Sequence, residues 1–160
     1  MSIFEHTFSI VNSDGSKVAP SESLKIHGAV LLVSVGIPTG ISGKYVKYFF
    51  KRPEPVKGLA LIDTGATMTS VDEDVCKTLG LIPTGTIPIW HAGGTSVSLC
   101  YPIEIEFLGT PIPTMSHPRV ATCHLSQMNG LNYILLLGRD ILSMMKFTYN
   151  GLSGRIELAF

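Results

Sequence analysis

The hydrophobic and polar positions divide the chain into short extended segments that end at turn residues. Residues 26 to 36 and residues 59 to 62 are nearly unbroken apolar runs, so each predicts a strand that is buried on both faces. Residues 86 to 107 alternate between apolar and polar positions, as do residues 155 to 160, and this alternation is typical of strands with one buried face. The pattern therefore predicts an all-β fold.

The alternating stretch predicts a hairpin followed by a further strand. The turn is Trp90-His91-Ala92-Gly93-Gly94, because two adjacent glycines favour a flexible tip. Val97 to Tyr101 then lie on one strand and Ile103 to Phe107 on the next. Residues 119 to 125 predict another strand.

The two ends of the chain also predict strands. Residues 3 to 11 are interpreted as an extra edge strand, because their apolar positions alternate and turn residues follow. Residues 147 to 149 and the final alternating strand flank a turn at Asn150-Gly151. Since the final strand ends the chain, we expect it to offer an open edge to a second copy.

A short helix is predicted after residue 70. Ser70 and Glu73 fit the two partners of a capping box, and Asp72 is the alternative N-cap. Cys76 lies on this helix and is interpreted as a small buried hydrophobe, because no basic neighbour is placed to activate it. Gly80 ends the helix.

Composition and charge exclude several classes of function. The 160 residues suit a single domain, and 12 basic residues balance 12 acidic ones without a basic cluster, so we expect no nucleic acid as a partner. No apolar run reaches the roughly 20 residues of a membrane-spanning helix, and the first residues lack the pattern of a secretory signal. We therefore expect a cytoplasmic protein that does not bind a membrane. The three cysteines predict neither a disulfide framework nor a metal site, and no cofactor is expected.

Two motifs carry the chemistry. Asp63-Thr64-Gly65-Ala66-Thr67 directly follows a buried apolar strand, so its carboxylate should lie on a loop at the end of a rigid element. Gly138-Arg139-Asp140 follows a second apolar strand about 75 positions later and leads into a second short helix. The tripeptide Asp63-Thr64-Gly65 alone also fits an ordinary turn, whereas the two motifs in this order are more specific.

This pair of motifs resembles the two signatures of the retropepsin-like aspartic proteases, on the cellular or bacterial side of that family. The resemblance covers residues 26 to 160, with residues 1 to 25 as an N-terminal extension, residues 37 to 57 as an insertion, and residues 86 to 107 as the flap region. It implies a closed β-barrel or sandwich with a flap hairpin and one or two short helices, acting as a homodimer.

The resemblance also implies a role for each motif residue. Asp63 is the catalytic residue, one from each subunit, and Thr64, Gly65, Ala66 and Thr67 support it. Gly138, Arg139 and Asp140 brace the loop from beneath, and the partner of Arg139 is left unidentified. Trp90, His91, Ala92, Gly93 and Gly94 are the flap residues that contact a bound peptide.

Two adjacent carboxylates can hydrolyse a peptide bond without a metal. Like charges about 3 Å apart cannot both ionise, so the pair shares one proton. One carboxylate then takes a proton from water while its protonated mate polarises the carbonyl group. The leading hypothesis is an aspartic endopeptidase acting on peptide or protein substrates. The alternatives are a catalytically idle dimerisation or peptide-binding module with the same fold, and an unrelated β-barrel binding protein.

Overall fold

The computed structural model describes residues 2–41, 51–91, 93–125 and 130–160. These ranges contain ten strands and three short helices. In chain order they are β1 (Ile3–Thr7), α1 (Pro20–His27), β2 (Val30–Gly36), β3 (Val56–Ile62), β4 (Ser70–Asp72), α2 (Glu73–Thr78), β5 (Gly85–His91), β6 (Gly94–Phe107), β7 (Met115–Cys123), β8 (Tyr133–Leu137), α3 (Arg139–Leu142), β9 (Lys146–Asn150) and β10 (Arg155–Ala159).

Six strands close into a barrel. Their order is β2-β3-β8-β4-β7-β6, and a further pairing between β2 and β6 completes the ring. Strand β5 pairs with β6 in an antiparallel hairpin outside the ring. Two of the pairings, β3 with β8 and β4 with β7, are parallel. The prediction of an all-β, closed-barrel fold is confirmed.

The barrel interior is filled by branched apolar side chains. Val33 and Val35 on β2, Ile103 and Ile105 on β6, and Leu135 on β8 are completely buried. Alternate residues of a strand point to opposite faces, so Glu104 and Glu106, which flank Ile105, point away from the interior. The two apolar runs at β3 and β8 lie side by side in this ring, which brings the residues that follow them to the same end of the barrel.

The chain termini form a separate three-stranded sheet in the order β1-β10-β9. The expectation of an open edge at the final strand is wrong, because β1 covers one side of β10 and β9 covers the other. Strand β1 lies at the edge of this sheet and ends at Thr7, before the predicted end at residue 11.

Helix α1 corrects the predicted start of the first buried strand. Ile26 and His27 belong to this helix, which begins with Pro20 and ends at Gly28. Gly28 has a φ of 76° and donates its backbone N–H to the oxygen of Leu24, a conformation that favours glycine. The strand therefore begins at Val30.

Three other boundaries differ from the predictions. Ser70 lies in β4, and Asp72, the alternative cap, is the N-cap of α2, where its side chain accepts a hydrogen bond from Asp74 N. Strand β6 is continuous through Pro102, with a register shift in place of the predicted break. Strand β7 begins at Met115, four residues before the predicted start. In the predicted insertion, residues 42 to 50 lie outside the described residues.

Candidate active site

Asp63 is the first residue after β3, and its loop holds the carboxylate in one orientation. Its backbone N–H donates to Leu137 O at 3.0 Å, which attaches the loop to the end of β8. One carboxylate oxygen, Oδ1, accepts hydrogen bonds from Gly65 N at 2.8 Å and Ala66 N at 3.2 Å. Among the described residues, the hydrogen bonds to this carboxylate all go to Oδ1. The second oxygen can therefore interact with a bound molecule.

Gly65 lies close to that carboxylate. A Cβ atom at this position would be 3.1 Å from Asp63 Oδ1, which is a tight contact. Thr64 and Gly65 are exposed at the tip of the loop, whereas Ala66 is half-buried. The loop therefore presents its tip to the outside while its base is packed.

Arg139 binds the same loop, so the loop is the partner of Arg139 that the sequence left unidentified. Its Nη1 donates to Thr64 O at 2.7 Å and to Gly65 O at 3.0 Å. Its Nη2 donates to Thr67 Oγ1 at 2.9 Å. The backbone adds a further link, from Arg139 N to Ala66 O at 2.9 Å. Arg139 thus binds three backbone carbonyl groups and one side-chain hydroxyl of the loop.

Thr69 is a supporting residue that the sequence did not reveal. It is completely buried, and its Oγ1 accepts a hydrogen bond from Gly138 N at 3.1 Å and donates one to Asp140 Oδ1 at 2.7 Å. Its backbone N–H donates to both oxygens of Asp140 at 2.9 Å. Thr67 and Ser70 carry equivalent hydroxyls nearby, so no local pattern distinguishes Thr69; only the approach of residues 138 to 140 does.

Gly138 lies directly against the loop. A Cβ atom there would be 2.3 Å from the carbonyl carbon of Met68 and 2.6 Å from Thr69 N. These distances are far shorter than any real contact between carbon atoms, so a larger residue would push the corner away from the loop. Glycine is required by close packing and not by its φ of −85°.

A cleft of about 530 Å³ lies between the loop and the β5–β6 hairpin. The loop contributes Asp63, Gly65, Ala66 and Thr67, and the hairpin contributes Ile89 and Trp90. The structure therefore brings the first motif together with one predicted flap residue. Trp90 is 81% exposed, so its ring is available to a bound molecule.

Two of the remaining predicted flap residues, Gly93 and Gly94, lie at the hairpin tip. Gly93 and Gly94 are exposed, and Gly94 has a φ of 124°. Backbone pairing joins His91 to Gly94. Ala92 and the side chain of His91 lie outside the described residues.

A second cleft, of about 420 Å³, adjoins the first. Ile89, Thr122 and Cys123 line both clefts. Glu73, Ser98 and other residues complete the second cleft, so its wall is more polar than the wall around Asp63. The two clefts are neighbours that share Ile89, Thr122 and Cys123, and together they are referred to as the groove.

The cysteines are not candidate nucleophiles. Burial, followed by the nearby carboxylates of Asp72 and Glu73, raises the pKa of Cys76 to about 12. Burial, followed by Asp72, raises the pKa of Cys123 to about 12. Since the thiolate is the reactive form, both side chains are inert near neutral pH. Within the described ranges, no three His, Cys, Asp or Glu residues cluster as metal ligands would, and no described helix could cross a membrane.

Comparisons with known proteins find similar solved structures but no matching family model and no matching curated protein. A retropepsin-like aspartic protease from Rickettsia conorii has a similar structure, with a TM-score of 0.47 and 16% sequence identity over 99% of this chain and 94% of that one.

Proposed function

We propose that this chain is an aspartic endopeptidase that acts as a homodimer, with one Asp63 from each subunit. The observation that carries the proposal is the state of the Asp63 carboxylate. One oxygen is bound by two backbone amides, and the residue lines a cleft that can hold part of an extended peptide. An aspartate in an ordinary turn would also accept hydrogen bonds from backbone amides, but it would not line a cleft.

The loop around Asp63 is held more firmly than a turn requires. Arg139 contributes three hydrogen bonds to it, and Thr69 and Asp140 fasten its base. A general acid or base must be positioned to within a fraction of an ångström to transfer protons efficiently. Preorganisation of this kind supports a catalytic role over a purely structural one.

The mechanism needs a second carboxylate. In the proposed dimer, the exposed loop tips meet at the two-fold axis, and the hydroxyl of Thr64 helps to hold them in register. The two Asp63 carboxylates then share one proton because both cannot be charged at close range. The ionised member accepts a proton from water, and the protonated member donates to the carbonyl oxygen of the peptide bond.

The groove supplies the binding surface. Ile89 and Trp90 are apolar contacts beside Asp63, and the hairpin that carries them is the proposed flap. Residues 26 to 160 would form the catalytic domain, with residues 1 to 25 attached to it through the pairing of β1 with β10. No metal or cofactor enters the proposed reaction.

The proposal is tested with Asp63→Asn and a matched control, Asp74→Asn. Asp74 has an exposed carboxylate on α2 that pairs with Lys77, so its replacement should leave the groove intact. Each protein is incubated with a peptide pool across a range of pH, and the products are identified by mass spectrometry. We expect cleavage by the wild type and the control but none by Asp63→Asn. Cleavage that survives in Asp63→Asn would exclude the mechanism.

A mixing experiment tests the shared site. An equal amount of Asp63→Asn protein is added to a fixed amount of active wild type, and the subunits are allowed to exchange. If each site needs two aspartates, random pairing reduces activity to about half. If each subunit acts alone, activity does not change. The second result would contradict the dimeric site.

A further inference from the structure

His117 makes a contact that the proposed mechanism does not use. It lies on β7, and its Nε2 is 3.2 Å from Asp140 Oδ2. The two side chains are only 24% and 22% exposed, so water screens the contact poorly. The sequence suggested no role for this histidine, because it lies in a segment without a clear pattern.

The neighbouring backbone determines which imidazole nitrogen carries the proton. Arg119 N donates a hydrogen bond to His117 Nδ1 at 3.3 Å. A backbone N–H can only donate, so Nδ1 must present its lone pair. In the neutral ring the hydrogen then lies on Nε2, which faces Asp140. The backbone of β7 thus selects the tautomer that donates to the carboxylate.

Asp140 links this histidine to the catalytic loop. Its carboxylate also accepts hydrogen bonds from Thr69 N, Thr69 Oγ1 and Ile141 N, at 2.7 to 2.9 Å. These donors come from the base of the loop and from α3, whereas His117 comes from β7. The donors on both sides determine the orientation of the carboxylate. Strand β7 also reaches the loop base directly, from Ala121 N to Thr69 O at 3.3 Å.

We propose that His117 is a positioning residue, which orients Asp140 through Nε2–H and thereby holds Thr69 and the base of the Asp63 loop in place. Without this donor, Asp140 can rotate about its side-chain bonds and its hydrogen bonds to Thr69 weaken. The loop base then becomes more mobile while the barrel remains folded. The effect on catalysis rests on the proposed function, but the effect on the loop does not.

Two amide variants separate the donor from the rest of the side chain. In His117→Gln, the side-chain amide nitrogen takes the place of Nε2 and can donate to Asp140. In His117→Asn, the shorter amide takes the place of Nδ1, so it can accept from Arg119 N but cannot reach Asp140. Each variant therefore keeps one of the two hydrogen bonds, and only His117→Gln keeps the hydrogen bond to Asp140.

Hydrogen exchange at the amides of Thr69 and Gly138, followed by NMR, gives the readout. We expect exchange at both amides to be faster by on the order of tenfold in His117→Asn. His117→Gln should stay close to the wild type, and amides of β10 should be unchanged in both variants. Equal exchange in the two variants, or no change in His117→Asn, would overturn the proposal. Because this readout needs no substrate, it holds whether or not the protein cleaves peptides.

Two further measurements complete the test. In the wild type at about pH 8, where an ordinary imidazole is neutral, an NMR spectrum of the ring nitrogens should show the hydrogen of His117 on Nε2. A hydrogen on Nδ1 would overturn the proposal even if both variants failed to fold. If the protein is a protease, His117→Asn should lower kcat with little change in KM, and His117→Gln should restore kcat.

Discussion

Replacing Thr69 with valine tests the network beneath the Asp63 loop. Valine has nearly the same shape as threonine, so the substitution keeps the packing of this completely buried position. It removes a hydroxyl that serves two partners. Gly138 N loses its acceptor at 3.1 Å, and Asp140 loses a donor at 2.7 Å.

The expected loss of stability follows from these two contacts. A buried N–H left without a partner costs about 1 to 3 kcal/mol, and a hydrogen bond to a charged group contributes about 1.5 to 3 kcal/mol. Asp140 keeps its bonds to Thr69 N and Ile141 N, so we take values near the lower ends. The free energy of unfolding should fall by about 3 kcal/mol. For a chain of this size that corresponds to about 9 °C in Tm.

Thr69→Ser is the matched control, because it keeps the hydroxyl and loses only one methyl group. Its cost should be about 1 kcal/mol. Urea unfolding followed by circular dichroism measures the free energy of unfolding of both variants. The dependence of this free energy on urea concentration is also compared between them. If valine proves no less stable than serine, the hydroxyl does not support the loop, and the energetic argument for this network fails.

Three further predictions concern the loop, the glycine corner and a buried thiol. Arg139→Ala should lower the rate of peptide cleavage by on the order of tenfold, because the loop loses the hydrogen bonds that hold it. Its Tm should fall by less than about 3 °C, because the arginine side chain is exposed. A large loss of stability with a normal rate of cleavage would contradict this prediction. Gly138→Ala should lower the free energy of unfolding, measured in urea, by more than about 3 kcal/mol, because the new Cβ would lie 2.3 Å from the carbonyl carbon of Met68. Gly85→Ala is the control, because nothing lies within 4 Å of its Cβ; it should lower the free energy of unfolding by less than about 1 kcal/mol. Burial raises the pKa of Cys76 to about 12. Alkylation of this thiol in the folded protein at pH 8, followed by mass spectrometry, should therefore be roughly a thousandfold slower than alkylation of an ordinary thiol, and its rate should rise with pH. Rapid labelling of Cys76 at pH 8 would refute the raised pKa.

Much of the β structure could be predicted from the sequence. Short apolar runs and the alternation of side chains are both local properties. The apolar runs predicted β3 and β8 correctly, and the alternation predicted β5 and β10. The turn chemistry after residue 62 and the Gly138 corner are also local. Helix α1 was missed because its apolar residues continue into the next strand, and the periodicity of an eight-residue helix is too brief to separate from that run.

The sequence by itself determined the class of fold and the position of the acidic loop. Only the tertiary structure decided which residues support that loop. The contacts of Thr69 with Gly138 and Asp140 span 69 and 71 positions of the chain, and the barrel forms them by placing β3 beside β8. His117 reaches Asp140 only because β7 pairs with β4. The physical reason is that hydrogen bonds of this kind depend on the distance between atoms after the sheet closes, and no spacing along the chain encodes that distance.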